Sequence, residues 1–109
     1  LLQVNISGEA TKGGVAPVEV PDVAVKMGEL EGICLTGLMT IAPHGGSEED
    51  CRGVFRRLAE LAREVDDMEV PGVSMEHLSM GMTDDYPVAV EEGATLIRVG
   101  RAILGERQK

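Results

Sequence analysis

Residues 47–65 read SEEDCRGVFRRLAELAREV, and this stretch predicts an amphipathic helix that decides the fold class. Ser47 stands before three acidic residues, which is typical of a helix N-terminus because a hydroxyl caps free amides there and acids suit the helix dipole. Apolar residues then recur at spacings of three and four, as one continuous stripe requires. The stripe consists of Cys51, Val54, Phe55, Leu58, Leu61, Ala62 and Val65. We therefore expect this helix to pack by one face only.

Short apolar segments on both sides of this helix predict strands. Residues 33–41 precede it, and residues 77–82 follow it after a linker at 66–75. Further strands are expected at 1–6 and 95–99, and further helices at 18–30, from Thr83 or Asp84 to Gly93, and from Gly100 onward. The valines of 18–30 would equally suit a strand. Taken as a helix, that segment completes a β-α-β-α-β-α-β-α order, which implies a parallel sheet.

Two architectures share this order, a doubly wound open sheet and a (β/α) barrel. No G-x-G-x-x-G sequence follows the first strand, which argues against a dinucleotide-binding sheet. Four units in 109 residues match half of an eight-unit barrel of about 250 residues. We therefore expect an α/β fold that forms half of a (β/α)8 TIM-type barrel, with residues 1–109 as a single partial domain.

Composition restricts the partners and the location of the protein. The net charge of −9 disfavours nucleic acid and anionic lipid as partners. No apolar run approaches the roughly 18 residues that span a membrane. The acidic residues are spread over the predicted helices, so we expect a cytoplasmic protein. The chain opens in strand-like sequence without an initiator Met, so we expect the natural start upstream. Cys34 and Cys51 are isolated, which predicts buried packing rather than a disulfide or metal site.

Two predicted strands end in sequences that suit an anion. In the first, Ser79 to Asp84 combines glycine and hydroxyls at a strand-to-helix turn, where backbone amides converge on an anion. The alternative is an ordinary helix cap formed by Thr83. In the second, Arg98 lies near the strand tip, and Gly100 and Arg101 follow it. An ion pair of Arg98 with a neighbouring carboxylate is the alternative, because an unpaired buried guanidinium is costly. In eight-unit barrels the last two loops often bind phosphate.

The remaining polar candidates are less informative. His44 falls in a Gly-rich loop and is expected to be solvent-exposed. His77 is expected to precede the third strand, at the end opposite its tip. Lys12 is expected to be a solvated loop charge, with attraction of a phosphate or aldehyde ligand as the alternative.

Four segments together resemble a known family. They are LQVNIS at 2–7 with Glu9 and Lys12-Gly13-Gly14, GLMTIAP at 37–43, LSMGMTDDY at 78–86, and IRVGRAILG at 97–105. These segments resemble the pyridoxal phosphate homeostasis proteins (the YggS/PROSC family), whose fold is similar to the N-terminal barrel of alanine racemase. The resemblance covers the whole chain and implies that the chain is the C-terminal half of that barrel.

The resemblance also implies a cofactor, pyridoxal 5′-phosphate, and a role for each matching residue. Ser79 and Thr83 would offer hydroxyls to the phosphate, and Gly100 and Arg101 would offer backbone N–H groups. Arg98 would face the pyridine nitrogen, while Asn5 and Met39 would line the pocket beside the ring. An arginine at the nitrogen keeps it unprotonated and weakens the ring as an electron sink. No catalytic residue and no metal ligand are implied.

The chain departs from the family at the residue that holds the aldehyde. The Schiff-base lysine of the family belongs to an early strand, and none of Lys12, Lys26 and Lys109 matches that position. We therefore expect a cofactor-binding protein of vitamin B6 and amino-acid homeostasis, without established catalysis, that lacks this lysine. The alternatives are a racemase-like enzyme barrel, or a self-associating half-barrel without ligand function. A half-barrel is expected to self-associate or to pair with the missing N-terminal half.

Overall fold

Four parallel strands form one sheet in the order β1-β2-β3-β4 among the residues that the structure describes. The structure is a computed structural model, and it describes residues 1–6, 13–43, 46–82 and 85–98. The strands are β1 (Leu2–Gln3), β2 (Leu35–Met39), β3 (Val73–Met82) and β4 (Leu96–Arg98). The helices are a 3-10 turn (Pro17–Glu19), α1 (Val20–Gly28), α2 (Glu48–Asp67) and α3 (Tyr86–Glu91). The predicted alternation of strands and helices is confirmed within these ranges.

Strand register divides the sheet into two faces. Partners across parallel strands share a face, and successive residues alternate between faces. The row Leu2, Leu38 and Leu78 belongs to the hydrophobic core that the helices cover. The neighbouring row lies on the opposite face and consists of Gln3, Met39, Ser79 and Leu96. Leu96 is 45% exposed, so this second face is open on the β4 side.

Helix α2 has the structure that its sequence predicts. The Ser47 hydroxyl accepts a hydrogen bond from the Asp50 amide at 3.1 Å, and the Asp50 carboxylate accepts one from the Ser47 amide at 3.2 Å. This reciprocal pair satisfies two amides at the end of the helix. The buried residues of α2 are the seven apolar residues of the predicted stripe. The prediction that this helix packs by one apolar face is confirmed.

A cluster of charges joins the polar side of α2 to the end of α3. Arg52 donates to Glu92 at 2.7 Å and to Glu91 at 3.0 Å. Arg56 also donates to Glu92, with its Nε 3.2 Å from the carboxylate. The hydrogen bonds from Arg56 and Arg52 hold the pKa of the Glu92 carboxyl below its usual range. We call Arg52, Arg56, Glu91 and Glu92 the α2–α3 charge cluster.

Strands β2 and β3 approach each other most closely at Gly37. Gly37 is the register partner of His77, and a Cβ at Gly37 would overlap the His77 carbonyl. The β2–β3 register shifts between Leu35 and Gly37: Leu35 pairs with Val73 but Gly37 pairs with His77, so β3 carries two extra residues here. Glycine is required here because any side chain would force the two strands apart.

Several local predictions were wrong. β3 begins at Val73, so the expected linker is shorter and His77 lies inside the strand. Asp85 rather than Thr83 or Asp84 is the N-cap residue of α3. Cys34 is exposed, whereas Cys51 is buried as expected. The early part of β3 does alternate exposed Ser74 and Glu76 with half-buried Val73 and Met75, a strand pattern that was assigned to the linker.

Two further properties concern the described residues only. No helix among them is long and apolar enough to cross a membrane. No group of three or more His, Cys, Asp or Glu side chains in these ranges could hold a metal ion. His44, Lys12 and the expected last helix lie outside the described residues.

Candidate functional site

The carboxyl ends of the four strands meet at one edge of the sheet, and the polar residues of the strand tips lie there. We call this the carboxyl edge and define it by Asn5, Met39, Thr40, Ser79 and Arg98. Parallel strands place binding sites at this edge because their loops converge on it. Register places Met39 beside Ser79, and Asn5 follows Gln3, the other partner of Met39, by two residues. Asn5, Met39 and Ser79 therefore share the open face.

Thr40 connects three of the strand tips. Its hydroxyl donates to the Val4 carbonyl at 2.7 Å, and its amide donates to the Ser79 carbonyl at 3.1 Å. Its own carbonyl accepts a hydrogen bond from Arg98 Nη2 at 3.2 Å. Thr40 is only 1% exposed. Because its hydroxyl, amide and carbonyl are all hydrogen-bonded, buried Thr40 holds a fixed position at the carboxyl edge.

Arg98 has one satisfied and one unsatisfied donor at this edge. Nη2 bonds to the Thr40 carbonyl, but Nε is buried and has no hydrogen-bond partner among the described residues. An unsatisfied buried donor costs about 1–3 kcal/mol, more for a charged group. None of the described carboxylates forms an ion pair with Arg98. The predicted alternative, an ion pair, is therefore not found in the described part of the chain.

Ser79 is a buried residue, 7% exposed. Met39 beside it is half-buried. Asn5 is half-buried, and its main-chain amide donates to the Val15 carbonyl at 2.8 Å. Val15 in turn donates to Gln3, so residues 13–15 hold the end of β1 in place.

The chain leaves β3 through a turn that Asp85 closes. The Asp85 carboxylate accepts from the Met82 amide at 2.7 Å, and the Asp85 amide donates to the Met82 carbonyl at 3.1 Å. Gly81 precedes the turn with a φ of +102°, which glycine adopts readily. A Cβ at Gly81 would lie 2.7 Å from the Cβ of Ala89. The turn therefore packs directly against α3.

A separate cleft of about 340 Å³ lies between the N-termini of α2 and α3. Its lining residues are Gly46, Glu48, Cys51, Asp85, Pro87 and Val88. The carboxylates of Glu48 and Asp85 disfavour an anionic ligand in this cleft. The polar residues of the carboxyl edge do not line it, so cleft size alone does not identify the site.

The family described as alanine racemase, N-terminal domain, matches residues 1–108. The chain belongs to this family. A curated relative named pyridoxal phosphate homeostasis protein, from Aquifex aeolicus, is 44% identical over 99% of the chain and 46% of its own length. A protein of the same name from Haemophilus influenzae is 38% identical over 98% of the chain and 45% of its own length. The resemblance read from the sequence is confirmed.

Solved structures agree with this assignment. The crystal structure of an unknown protein from Bifidobacterium adolescentis covers 95% of the chain with a TM-score of 0.90 and 43% identity. PipY of Synechococcus elongatus, solved with PLP bound, covers 90% of the chain with a TM-score of 0.77 and 34% identity. The chain covers 42% of the first structure and 44% of the second. The chain thus spans less than half the length of these relatives.

The alanine racemase N-terminal fold places some of the predicted site residues together. Asn5, Met39, Ser79 and Arg98 lie at the carboxyl edge, on strands β1 to β4 or next to them. Thr83, Gly100 and Arg101 lie outside the described residues. Their predicted contacts with phosphate remain predictions.

Sequence reasoning missed the importance of Thr40. Thr40 falls near the end of the strand predicted at 33–41, but nothing in the sequence singled it out as a site residue. A threonine at the end of an apolar strand is a weak signal, because threonine is common in strands for its β-branched shape alone. Only the hydrogen bonds across three strands distinguish it.

Proposed function

We propose that this chain forms part of a pyridoxal 5′-phosphate site in a protein of vitamin B6 and amino-acid homeostasis. The observation that carries this proposal is the buried Nε of Arg98, which has no acceptor among the described residues. A pyridine nitrogen is an uncharged acceptor of the size and geometry that one N–H requires. The names of the relatives and the PLP-bound structure of PipY support the same ligand.

The residues of the carboxyl edge would contact the ring nitrogen, the ring side and the phosphate of this cofactor. Arg98 would donate from Nε to the ring nitrogen, and Ser79 would offer its hydroxyl to the phosphate. Asn5 and Met39 would line the pocket beside the ring. Thr83, Gly100 and Arg101 would complete the phosphate contacts, as the family resemblance implies. No residue of the chain is proposed to ligate a metal.

Bound pyridoxal phosphate supplies an electron sink through its ring. Arg98 limits that sink, because a guanidinium does not lose its proton and therefore donates to an unprotonated ring nitrogen. The buried position of Ser79 would exclude water from the phosphate side. These roles suit a protein that holds the cofactor better than one that forms carbanions from amino acids. We therefore propose a homeostasis role rather than an enzyme.

We further propose that residues 1–109 are one partial domain, the C-terminal half of a (β/α)8 barrel. The four parallel strands, the three helices that connect them in the described residues and the coverage of 42–46% of the relatives support this architecture. The open face of the sheet would then be the barrel interior, paired with the N-terminal half or with a second copy. The lysine that holds the aldehyde would lie in the N-terminal half. A cytoplasmic location agrees with the charge of −9.

The test is a cofactor titration of the full-length protein, with Arg98→Ala and the matched control Arg63→Ala. Arg63 is an exposed arginine of α2, remote in sequence from the carboxyl edge. We expect Arg98→Ala to weaken pyridoxal phosphate binding at least tenfold, because a charge-assisted hydrogen bond is lost. Arg63→Ala should bind like the parent. Equal binding by all three proteins would contradict the proposed site.

A second measurement separates the homeostasis protein from a racemase. The alanine racemase name of the family is the observation that favours the enzyme. Borohydride treatment of the loaded protein should fix the cofactor on a lysine other than Lys12, Lys26 and Lys109. Incubation with single amino acids should leave their chirality unchanged. Racemisation of any of them would favour the enzyme.

A ligand-indifferent oligomer would favour the third possibility, a self-associating half-barrel. Light scattering of the chain with and without pyridoxal phosphate distinguishes this case. Thermal stabilisation by the cofactor is the expected result, since a ligand that binds only the folded state raises its stability.

A further inference from the structure

We infer that Thr40 is the positioning residue that orients Arg98 toward the ring of the ligand. The inference rests on the proposed function and adds a residue to it. Thr40 would not touch the ligand. It would act through its main-chain carbonyl, which accepts the hydrogen bond from Arg98 Nη2.

The Thr40 carbonyl is held in place from both neighbouring strands. The hydroxyl bond to Val4 ties Thr40 to the end of β1, and the amide bond to Ser79 ties it to β3. With these bonds and 1% exposure, the residue has little freedom to rotate. The direction of its carbonyl is therefore set by two independent anchors, one of which is the side-chain hydroxyl.

Strand register explains why this carbonyl is available to a side chain. The registered pairing of β2 with β3 ends at Met39 and Ser79, one residue before Thr40. The register of β3 with β4 then shifts between Ser79 and Met82. The Thr40 carbonyl thus lies beyond the last registered pair, where the guanidinium of Arg98 reaches it across β3.

Fixing Nη2 also fixes Nε, because the guanidinium is a rigid plane. Nε and Nη2 donate along the same edge of that plane. An acceptor for Nε must therefore lie beside the Thr40 carbonyl, at the carboxyl edge. In this geometry Nη2 bonds to the protein and Nε is left for a ligand. The Thr40 carbonyl determines this division because it binds Nη2.

The test compares Thr40→Val with Thr40→Ser in the full-length protein. Valine keeps the shape of threonine and removes the hydroxyl, while serine keeps the hydroxyl. We expect Thr40→Val to weaken pyridoxal phosphate binding about tenfold, because the Val4 carbonyl is left unsatisfied and the edge shifts. Thr40→Ser should stay within about twofold of the parent.

Two readouts separate positioning from a general loss of stability. The first uses a 1-deaza analogue of the cofactor, in which carbon replaces the ring nitrogen. Its binding should be nearly insensitive to Thr40→Val, since no hydrogen bond from Nε is at stake. The second is a double-mutant cycle with Arg98→Ala, in which the effect of Thr40→Val should fall below about twofold. Equal losses for both ligands, or additive losses in the cycle, would overturn the inference.

The parent protein provides a check that needs no Thr40 variant. An anchored Arg98 should give a slowly exchanging Nε–H signal by NMR before ligand is added, and the signal should shift when pyridoxal phosphate binds. A signal that exchanges freely without ligand would overturn the inference even if Thr40→Val fails to fold. A parent that binds no pyridoxal phosphate would instead contradict the proposed function itself.

Discussion

Arginines in two regions of this molecule are bonded in opposite ways. In the α2–α3 charge cluster, Arg52 contacts the carboxylates of Glu48, Glu91 and Glu92. At the carboxyl edge, Arg98 bonds to one main-chain carbonyl and keeps a buried Nε without a partner among the described residues. The fold supplies carboxylate partners for Arg52. It positions Arg98 through one hydrogen bond but supplies no acceptor for its Nε in the described part of the chain.

This difference in hydrogen bonding indicates a different role for each arginine. Arg52 is 28% exposed, and two of its three partners, Glu48 and Glu91, are largely exposed, so its bonds join two helices at the surface. A buried donor without an acceptor destabilises the free protein, and such groups are kept where a ligand completes them. Under the proposed function, Arg98 is therefore the arginine that a ligand would complete, although it makes fewer contacts.

The largest expected effect is that Arg98→Ala changes mainly cofactor affinity, whereas Arg52→Ala changes mainly stability. Arg98→Ala should weaken pyridoxal phosphate binding at least tenfold and lower the midpoint of urea unfolding without ligand less than Arg52→Ala does, because removal of the unsatisfied Nε offsets the lost bond to the Thr40 carbonyl. Arg52→Ala should lower that midpoint and leave the affinity unchanged. Circular dichroism and cofactor titration measure the two quantities. A stability loss in Arg98→Ala larger than in Arg52→Ala would remove the distinction.

Glu92→Gln tests the α2–α3 charge cluster through its acidic partner. Glu92 accepts from both Arg52 and Arg56, and its side chain is only 13% exposed. The neutral amide keeps the shape but loses the charge, so we expect a lower melting temperature with unchanged cofactor affinity. The difference from the parent should shrink only modestly in 0.5 M NaCl, because salt screens the exposed Arg56 but screens the mostly buried Glu92 much less. Glu64→Gln, which loses only the contact with Arg57, is the matched control.

The same residue predicts a dependence of stability on pH. The pKa of Glu92 is lowered in the folded state by its bonds to Arg56 and then Arg52. Its stabilising contribution is therefore present above the unfolded-state pKa of about 4.3 and is lost as the pH falls through the lower folded-state value. Unfolding midpoints measured from pH 6 to pH 3 should fall less steeply in Glu92→Gln than in the parent. Parallel curves would show that the cluster does not contribute.

The smallest expected effect comes from Glu69, which belongs to neither region. Glu69 follows α2 with a φ of +52°, the left-handed conformation that glycine adopts without strain. Glu69→Gly should raise the free energy of unfolding by about 0.5–1 kcal/mol, since strain and an acid at the negative end of a helix are both removed. Cofactor affinity should not change. A change in affinity would mean that stability and binding are not separable in this protein.

Local pattern was sufficient for α2 but not for the carboxyl edge. The buried stripe from Cys51 to Val65 follows from the 3.6-residue period, and its cap follows from Ser47 and Asp50. The pattern was insufficient where neighbouring strands decide the outcome. The register of β3 depends on neighbours: Val73 pairs with Leu35, but Gly37 pairs with His77, a shift that no local signal in either segment encodes.

The residues of the carboxyl edge also divide into those that the sequence could indicate and those that it could not. Ser79 and Arg98 could be selected from the sequence because a hydroxyl and a guanidinium are unusual at the tips of apolar strands. The role of Thr40 could not, since its three hydrogen bonds reach Val4, Ser79 and Arg98, up to 58 positions away. The sequence likewise could not show that Arg52 bonds to carboxylates of α3 whereas Arg98 bonds to a main-chain carbonyl.

The sequence by itself determined the order of strands and helices, the buried stripe of α2 and the residue types available at the strand tips. These follow from periodicity and from the chemistry of single side chains. Tertiary structure alone decided the register of the strands, and register decides which tips share a face. It also decided that Arg98 meets a carbonyl rather than a carboxylate. The physical reason is that satisfaction of a hydrogen-bonding group depends on neighbours in space, which the chain order does not specify.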